Sequence, residues 1–187
     1  MADTSAPQIV TIRDADGIVT EEATMKNGIL EGETVVYAAG RVRARLQFHE
    51  GKQQGEAVFY DAAGQVQTRA QYVAGKRHGE AQHFSPTGGL MRKANYENGL
   101  LHGHAIDYYP SGKPREVSTY KEDVLDGEMI RLSEDGKITE RLFYERGRLR
   151  PKPHAALKPP AAPKLPAAPK LPAAPKLPAV KPAFKRP

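Results

Sequence analysis

An all-β array of stacked antiparallel β-hairpins, forming one elongated twisted sheet, is the fold class that three observations predict. First, Gly51-Lys-Gln-Gln-Gly55-Glu56, Gly75-Lys-Arg-His-Gly79-Glu80 and Gly99-Leu-Leu-His-Gly103-His104 begin 24 residues apart. A fixed period of that size marks stacked supersecondary units. Second, another glycine (Gly40, Gly64, Gly88) stands eleven residues before each opening, so every unit is two short runs between two turns. Third, the runs alternate with period two, the signature of half-buried strands.

Taken in order, residues 1–8 read as disordered and residues 9–149 as the repeat array. Ile9 to Met25 supplies only the second half of a unit, with Gly17 eleven residues before Gly28. That half unit reads as a capping hairpin, since terminal repeats have a neighbour on one side only. Asn27-Gly28-Ile-Leu-Glu-Gly32-Glu33 opens a copy shortened by one residue. Asp123-Val-Leu-Asp-Gly127-Glu128 opens a later one with Asp in the glycine slot, and Gly147 starts a copy that does not finish. Pro86, Pro110 and Pro114 fall at or beside turns, where proline is tolerated.

Simple alternation assigns the faces. Two residues after each second glycine stand Val19, Val42, Val66, Leu90, Pro114 and Ile138, and eight residues after it Met25, Phe48, Tyr72, Tyr96, Tyr120 and Tyr144. Six is an even separation, so both rows are expected on one face, with Arg45, Arg69, Lys93 and Arg141 opposite and solvated. In the other strand Val35 and Tyr37, Val58 and Tyr60, Gln82 and Phe84, Ile106 and Tyr108 alternate with small or polar residues. The expectation is an aromatic row running along one face.

Residues 150–187 follow a different grammar. Twelve of the 16 prolines lie from Pro151 onward, and Ala-Ala-Pro-Lys-Leu-Pro occurs three times between residues 161 and 178. Such density forbids helix and sheet and leaves an extended, polyproline-like, disordered spacer. From Pro151 onward the tail carries eight basic residues and no acidic one; the remaining 20 basic residues stand against 22 acidic, a balance of −2. The net charge of +6 therefore belongs to the tail, and basicity gives no argument for nucleic-acid binding by the array. The tail itself is suited to anionic membrane or nucleic acid. There is no cysteine, which excludes disulfides and thiolate chemistry. With no signal-like N-terminus and no membrane-length apolar run, the expected location is the cytoplasm.

The repeat resembles a MORN repeat, in its bacterial variant with an Asn-Gly-x-x-x-Gly-Glu opening, an aromatic residue after it and a second glycine before an aromatic-ending strand. Asn27 to Tyr37, Gly51 to Tyr60, Gly75 to Phe84 and Gly99 to Tyr108 carry the likeness. Arrays of this kind are similar to the YwqK-type antitoxin family, which implies a stacked-hairpin fold and neutralisation of a partner toxin. His104 departs from the pattern in place of glutamate, and Asp123 in place of glycine.

Candidate chemistry is sparse. His78 and His102 share a repeat position, but equivalent residues of successive hairpins lie about 10 Å apart, too far to ligate one ion directly. Glu33, Glu56, Glu80 and Glu128 repeat at the same spacing and so read as structural, and no nucleophile–base order or phosphate loop is present. The sequence therefore predicts no catalytic, cofactor-binding or metal residues, and no enzyme. Its candidate partner-binding residues are Tyr37, Phe48, Tyr60, Tyr72, Phe84, Tyr96, Tyr108, Tyr120 and Tyr144, because a single-layer sheet leaves aromatic rows exposed for a protein partner such as a cognate toxin. The alternative is a scaffold tethered to a membrane or another partner through the tail.

Overall fold

The computed structural model describes residues 6–151; residues 1–5 and 152–187, most of the expected disordered N-terminus (1–8) and tail (150–187), lie outside that range, while Gln8 and Arg150 fall in strands. The strands follow one another as β1 (Gln8–Arg13), β2 (Val19–Lys26), β3 (Ile29–Ala38), β4 (Arg41–His49), β5 (Lys52–Gln53), β6 (Gly55–Tyr60) and β7 (Val66–Val73). They continue as β8 (Lys76–Phe84), β9 (Leu90–Glu97), β10 (Leu100–Tyr108), β11 (Pro114–Lys121), β12 (Val124–Leu132), β13 (Ile138–Glu145) and β14 (Arg148–Arg150). All belong to one open antiparallel sheet in sequential order, with β5 beside β4 just ahead of β6. The strands that pack together are the hydrogen-bonded neighbours, as an array of one-dimensional contacts requires.

Two kinds of turn alternate. At one margin, the outer one, connections are two residues long with both residues left-handed, as in Ala74 (φ 50°) and Gly75 (φ 83°). This is the turn whose twist matches paired strands. Asp123 takes the same conformation at φ 66°, a region aspartate visits more readily than most side chains. These turns also staple the repeats together: Gly75 N donates to Gln53 O at 2.9 Å, Gly99 N to Arg77 O at 2.8 Å and Asp123 N to Leu101 O at 3.0 Å. Asp123 adds a contact glycine lacks, its Oδ1 accepting from Leu101 N at 2.7 Å.

At the inner margin the turns are longer. Asp61 N donates to Gln65 O at 2.9 Å and Gly64 N to Asp61 O at 3.1 Å, while Asp61 Oδ1 accepts from the amides of Ala63 and Gln65, each at 2.9 Å. The one-residue deletion falls here, where β3 and β4 are joined by the short left-handed pair Ala39-Gly40.

The register corrects the expected faces. In the β6–β7 hairpin Phe59 pairs with Thr68 and Tyr60 with Val66, leaving Gln67 as an extra residue. The shift recurs between β3 and β4, β8 and β9, β10 and β11, and β12 and β13. A bulge sets two residues of one strand against one of its partner, so counting by twos fails across it. Val42, Val66, Leu90, Pro114 and Ile138 therefore share a face with Tyr37, Tyr60, Phe84 and Tyr108, while Phe48, Tyr72, Tyr96, Tyr120 and Tyr144 occupy the other. The single aromatic row is two rows on opposite faces. The basic row stands opposite Phe48 and Tyr72 as expected, but it shares the face of Val42 and Val66: Arg45 pairs with Val35 and Arg69 with Val58, beside Tyr37 and Tyr60.

Burial concentrates in the middle of each strand. On one face the central row is small: Ala57, Ala70, Ala81, Ala94 and Ala105 are 0–3% exposed, and Ser118 continues the row at 3%. On the other face Ile106, Tyr108 and Val117 form a buried cluster flanked by Leu90 and Leu132.

Candidate functional site

The face carrying Phe48, Tyr72, Tyr96, Tyr120 and Tyr144, here the tyrosine face, is built by the glycine of each Gly-Glu step. Gly55 pairs with Tyr72, Gly79 with Tyr96, Gly103 with Tyr120 and Gly127 with Tyr144. An aromatic side chain opposite a glycine covers backbone that would otherwise lack cross-strand packing. At Gly127, with φ 128°, a Cβ would stand 3.0 Å from Thr119 Cβ, so the position also excludes a side chain on packing grounds. On the following strand the rings meet Arg77, Leu101, Leu125 and Leu149. Arg77 Cζ lies 4.3 Å from the centroid of the Tyr96 ring, a cation–π contact.

All five aromatic side chains of this row are half-buried, beside the closed alanine row. The rings recur on every second strand, about 9.6 Å apart. Beyond the alanines lies a polar row in which Thr68 Oγ1 and His83 Nδ1 are 3.0 Å apart, and Arg92 donates to Asp107 at 3.1 Å. Burial, reinforced by the nearby Arg92 and Arg77 charges, pushes the His83 imidazole below its ordinary pKa.

The opposite face, here the ladder face, satisfies its own charges. Glu33 pairs with Arg45 at 2.9 Å, Glu56 with Arg69 at 3.5 Å, Glu128 with Arg141 at 2.6 Å, and Glu80 with Lys93. The recurring glutamate is thus one half of a repeated ion pair. The fourth full repeat breaks the ladder at both members together: His104 replaces the acid and Val117, 5% exposed, replaces the base. On this face Phe84 and Tyr108 are 8% and 7% exposed and therefore mostly packed away. Tyr60 is half-buried. Tyr37 donates its hydroxyl to Glu22 Oε2 at 2.7 Å. Burial first, then that carboxylate, push the Tyr37 phenol up to about 12.

The repeat position of His78 and His102 has a structural use in its neighbours. Glu31 Oε2 accepts the Glu50 amide at 2.7 Å, and Gln54 Oε1 the Ala74 amide at 3.0 Å, each fastening the next outer turn. His102 Nε2 instead stands 3.6 Å from Glu97 Oε2. Among the described residues no three His, Asp or Glu side chains are grouped to hold a metal ion. Sequence reasoning missed the role of the alanine row, whose regular recurrence at the strand centres was a readable signal, and the Arg77–Tyr96 contact, for which no local pattern exists.

No curated protein matches the chain. Among solved structures, the crystal structure of the GtfA/B complex bound to UDP and GlcNAc is similar at 15% identity and a TM-score of 0.30. The likeness covers 62% of this chain and 23% of that one, and it is too weak to bear on fold or function. The MORN repeat variant family matches residues 53–74, 77–98 and 101–122, and the central repeats of this sheet are MORN repeats of that variant.

Proposed function

We propose that the chain is a protein-binding module without catalytic activity, acting through the tyrosine face to occlude a partner protein in the cytoplasm, in the manner of an antitoxin or immunity protein. The observation that carries the surface is the in-register row of half-buried Phe48, Tyr72, Tyr96, Tyr120 and Tyr144 on a sheet with no second layer among the described residues. Tyrosine offers large contact area at low rotamer cost, which suits recognition. On the ladder face Phe84 and Tyr108 are packed away and Tyr37 is engaged with Glu22. The neutralising role is supported by resemblance of the repeat opening to the antitoxin family, and the cytoplasmic location by the lack of cysteine.

A second reading, a scaffold tethered through its tail, is favoured by the charge division: +8 in residues 151–187 against −2 elsewhere. Affinity capture from the native cell with the full chain, a Y96S/Y120S variant and an E56Q/R69Q variant distinguishes them. Under the first reading one stoichiometric protein is retained by the wild type and E56Q/R69Q and lost by Y96S/Y120S, and adding the purified chain suppresses that protein's activity. Retention of the same partner by all three variants, or release of every partner by moderate salt, overturns it in favour of the tether.

A further inference from the structure

We propose that the proline-rich tail docks on the chain's own tyrosine face, crossing the strands as a polyproline II helix with one proline per hairpin. Pro163, Pro166, Pro169, Pro172, Pro175 and Pro178 recur at every third residue. A polyproline II helix turns once in three residues and rises about 3.1 Å per residue, so these prolines line one edge at about 9.3 Å intervals. The hairpins advance by two strand spacings, about 9.6 Å. Over five intervals the two rulers diverge by only about 1–2 Å. The receiving column also has six members: Met25, Phe48, Tyr72, Tyr96, Tyr120 and Tyr144.

The other two edges of the same helix are chemically unlike. One reads Leu165, Ala168, Leu171, Ala174, Leu177 and the other Lys164, Ala167, Lys170, Ala173, Lys176. The segment is amphipathic in polyproline II register, with two apolar edges to lay on a surface and lysines left to solvent. Proline-rich segments dock on aromatic rows in this way, because their backbone is already extended.

The choice of face follows from the structure. The ladder face buries Phe84 and Tyr108 and fills its middle with the ion pairs of Arg45, Arg69, Lys93 and Arg141, which interrupt any continuous apolar column for the proline and leucine edges. The tyrosine face has half-buried rings above alanine. Direction follows as well. Leu149 pairs with Tyr144 at the last hairpin, and the twelve residues 151–162 reach up to about 40 Å, ample for a return onto that ring. Pro163 then lies at Tyr144 and Pro178 at Met25, so the tail runs from the last hairpin toward the first. This inference does not require the partner of the preceding section; a protein binding the same face would displace the tail.

The chain has no cysteine, so single nitroxide labels placed at A161C and A179C in the full-length protein are unambiguous. The label at position 161 is expected to broaden the ring signals of Tyr144 and Tyr120, and the label at 179 those of Phe48 and Tyr72. Acetylation of tyrosine hydroxyls should be several-fold slower at Tyr72, Tyr96, Tyr120 and Tyr144 than in a variant with all six prolines changed to glycine, and unchanged at Tyr60. These substitutions fall outside residues 6–151, within which every described strand lies. Broadening independent of label position, equal protection in the glycine variant, or loss of protection when Lys164, Lys170 and Lys176 become serine with the prolines kept, each overturns the proposal. So does broadening that appears only between labelled and unlabelled copies, which would make the tail's receptor a second molecule.

Discussion

On the tyrosine face the middle row is alanine and the adjacent row aromatic, whereas on the ladder face the middle row mixes aliphatic with basic side chains that glutamate neutralises. Both faces belong to the same strands and have no second layer among the described residues. The small row closes under its own neighbours, leaving half-buried rings as the chemically distinctive feature of that surface. The ladder face spends its polar groups on itself and so has few uncompensated charges to offer. A half-buried aromatic row beside a self-satisfied charge ladder marks which side of a one-layer sheet is suited to recognition.

The comparison can be broken most forcefully where the ladder is already interrupted. V117R sets a charge into the Ile106–Tyr108 cluster beside His104, which cannot neutralise it, and is expected to cost about 3 kcal/mol, the penalty of a buried charge without its partner. The double variant H104E/V117R restores the ladder and should recover most of that loss in denaturant melts. A double variant no more stable than V117R would show that Val117 is required for packing and that the ion pair is incidental.

Next in size, A94L overfills the closed row of the tyrosine face, where Ala94 is 2% exposed, and should cost about 2 kcal/mol in thermal unfolding. Y37F removes the hydroxyl that donates to Glu22, for about 1 kcal/mol near neutral pH. The wild-type phenol, raised to about 12, contributes fully below about pH 10 and progressively less as pH rises toward 12, so the difference from Y37F should narrow over that window. R69Q should fall below about 0.5 kcal/mol, because Glu56 is 44% exposed and water already weakens the pair.

The smallest effect is a pair of opposed titrations, read as imidazole shifts by NMR. His83 is held below its ordinary value of 6.5 by burial and by Arg92, so the unfolded chain binds that proton more readily. Its stabilising contribution is full above about pH 6.5 and fades as pH falls through the folded value. His49 is raised, first by its hydrogen bond to Glu31, so its contribution is full below about pH 6.5 and is lost as pH rises through its folded value. His83 should titrate below His49; the reverse order would show that the two environments have been misassigned.

Much of this was legible in the chain. The 24-residue recurrence and paired glycines announce hairpins in sequential order, because turn conformation and strand alternation are local properties that a few neighbouring residues decide. The deletion near Gly40 and the Asp at 123 were visible too, although the structure was needed to show that one shortens an inner turn and the other gains a hydrogen bond. The face of each aromatic was not legible. Gln67 and its equivalents look like ordinary strand residues, and nothing nearby states that their partners skip them.

By itself the sequence determined that residues 9–149 are a ladder of hairpins, where each begins, and which residue types recur at each step. The tertiary structure alone decided which of those recurrences share a surface. One unpaired residue per hairpin reverses the parity of everything beyond it, and that separates Tyr60 from Tyr72 and brings Glu56 to Arg69. The physical reason is that a bulge is set by the register between two strands, whereas periodicity along one strand records only the strand itself.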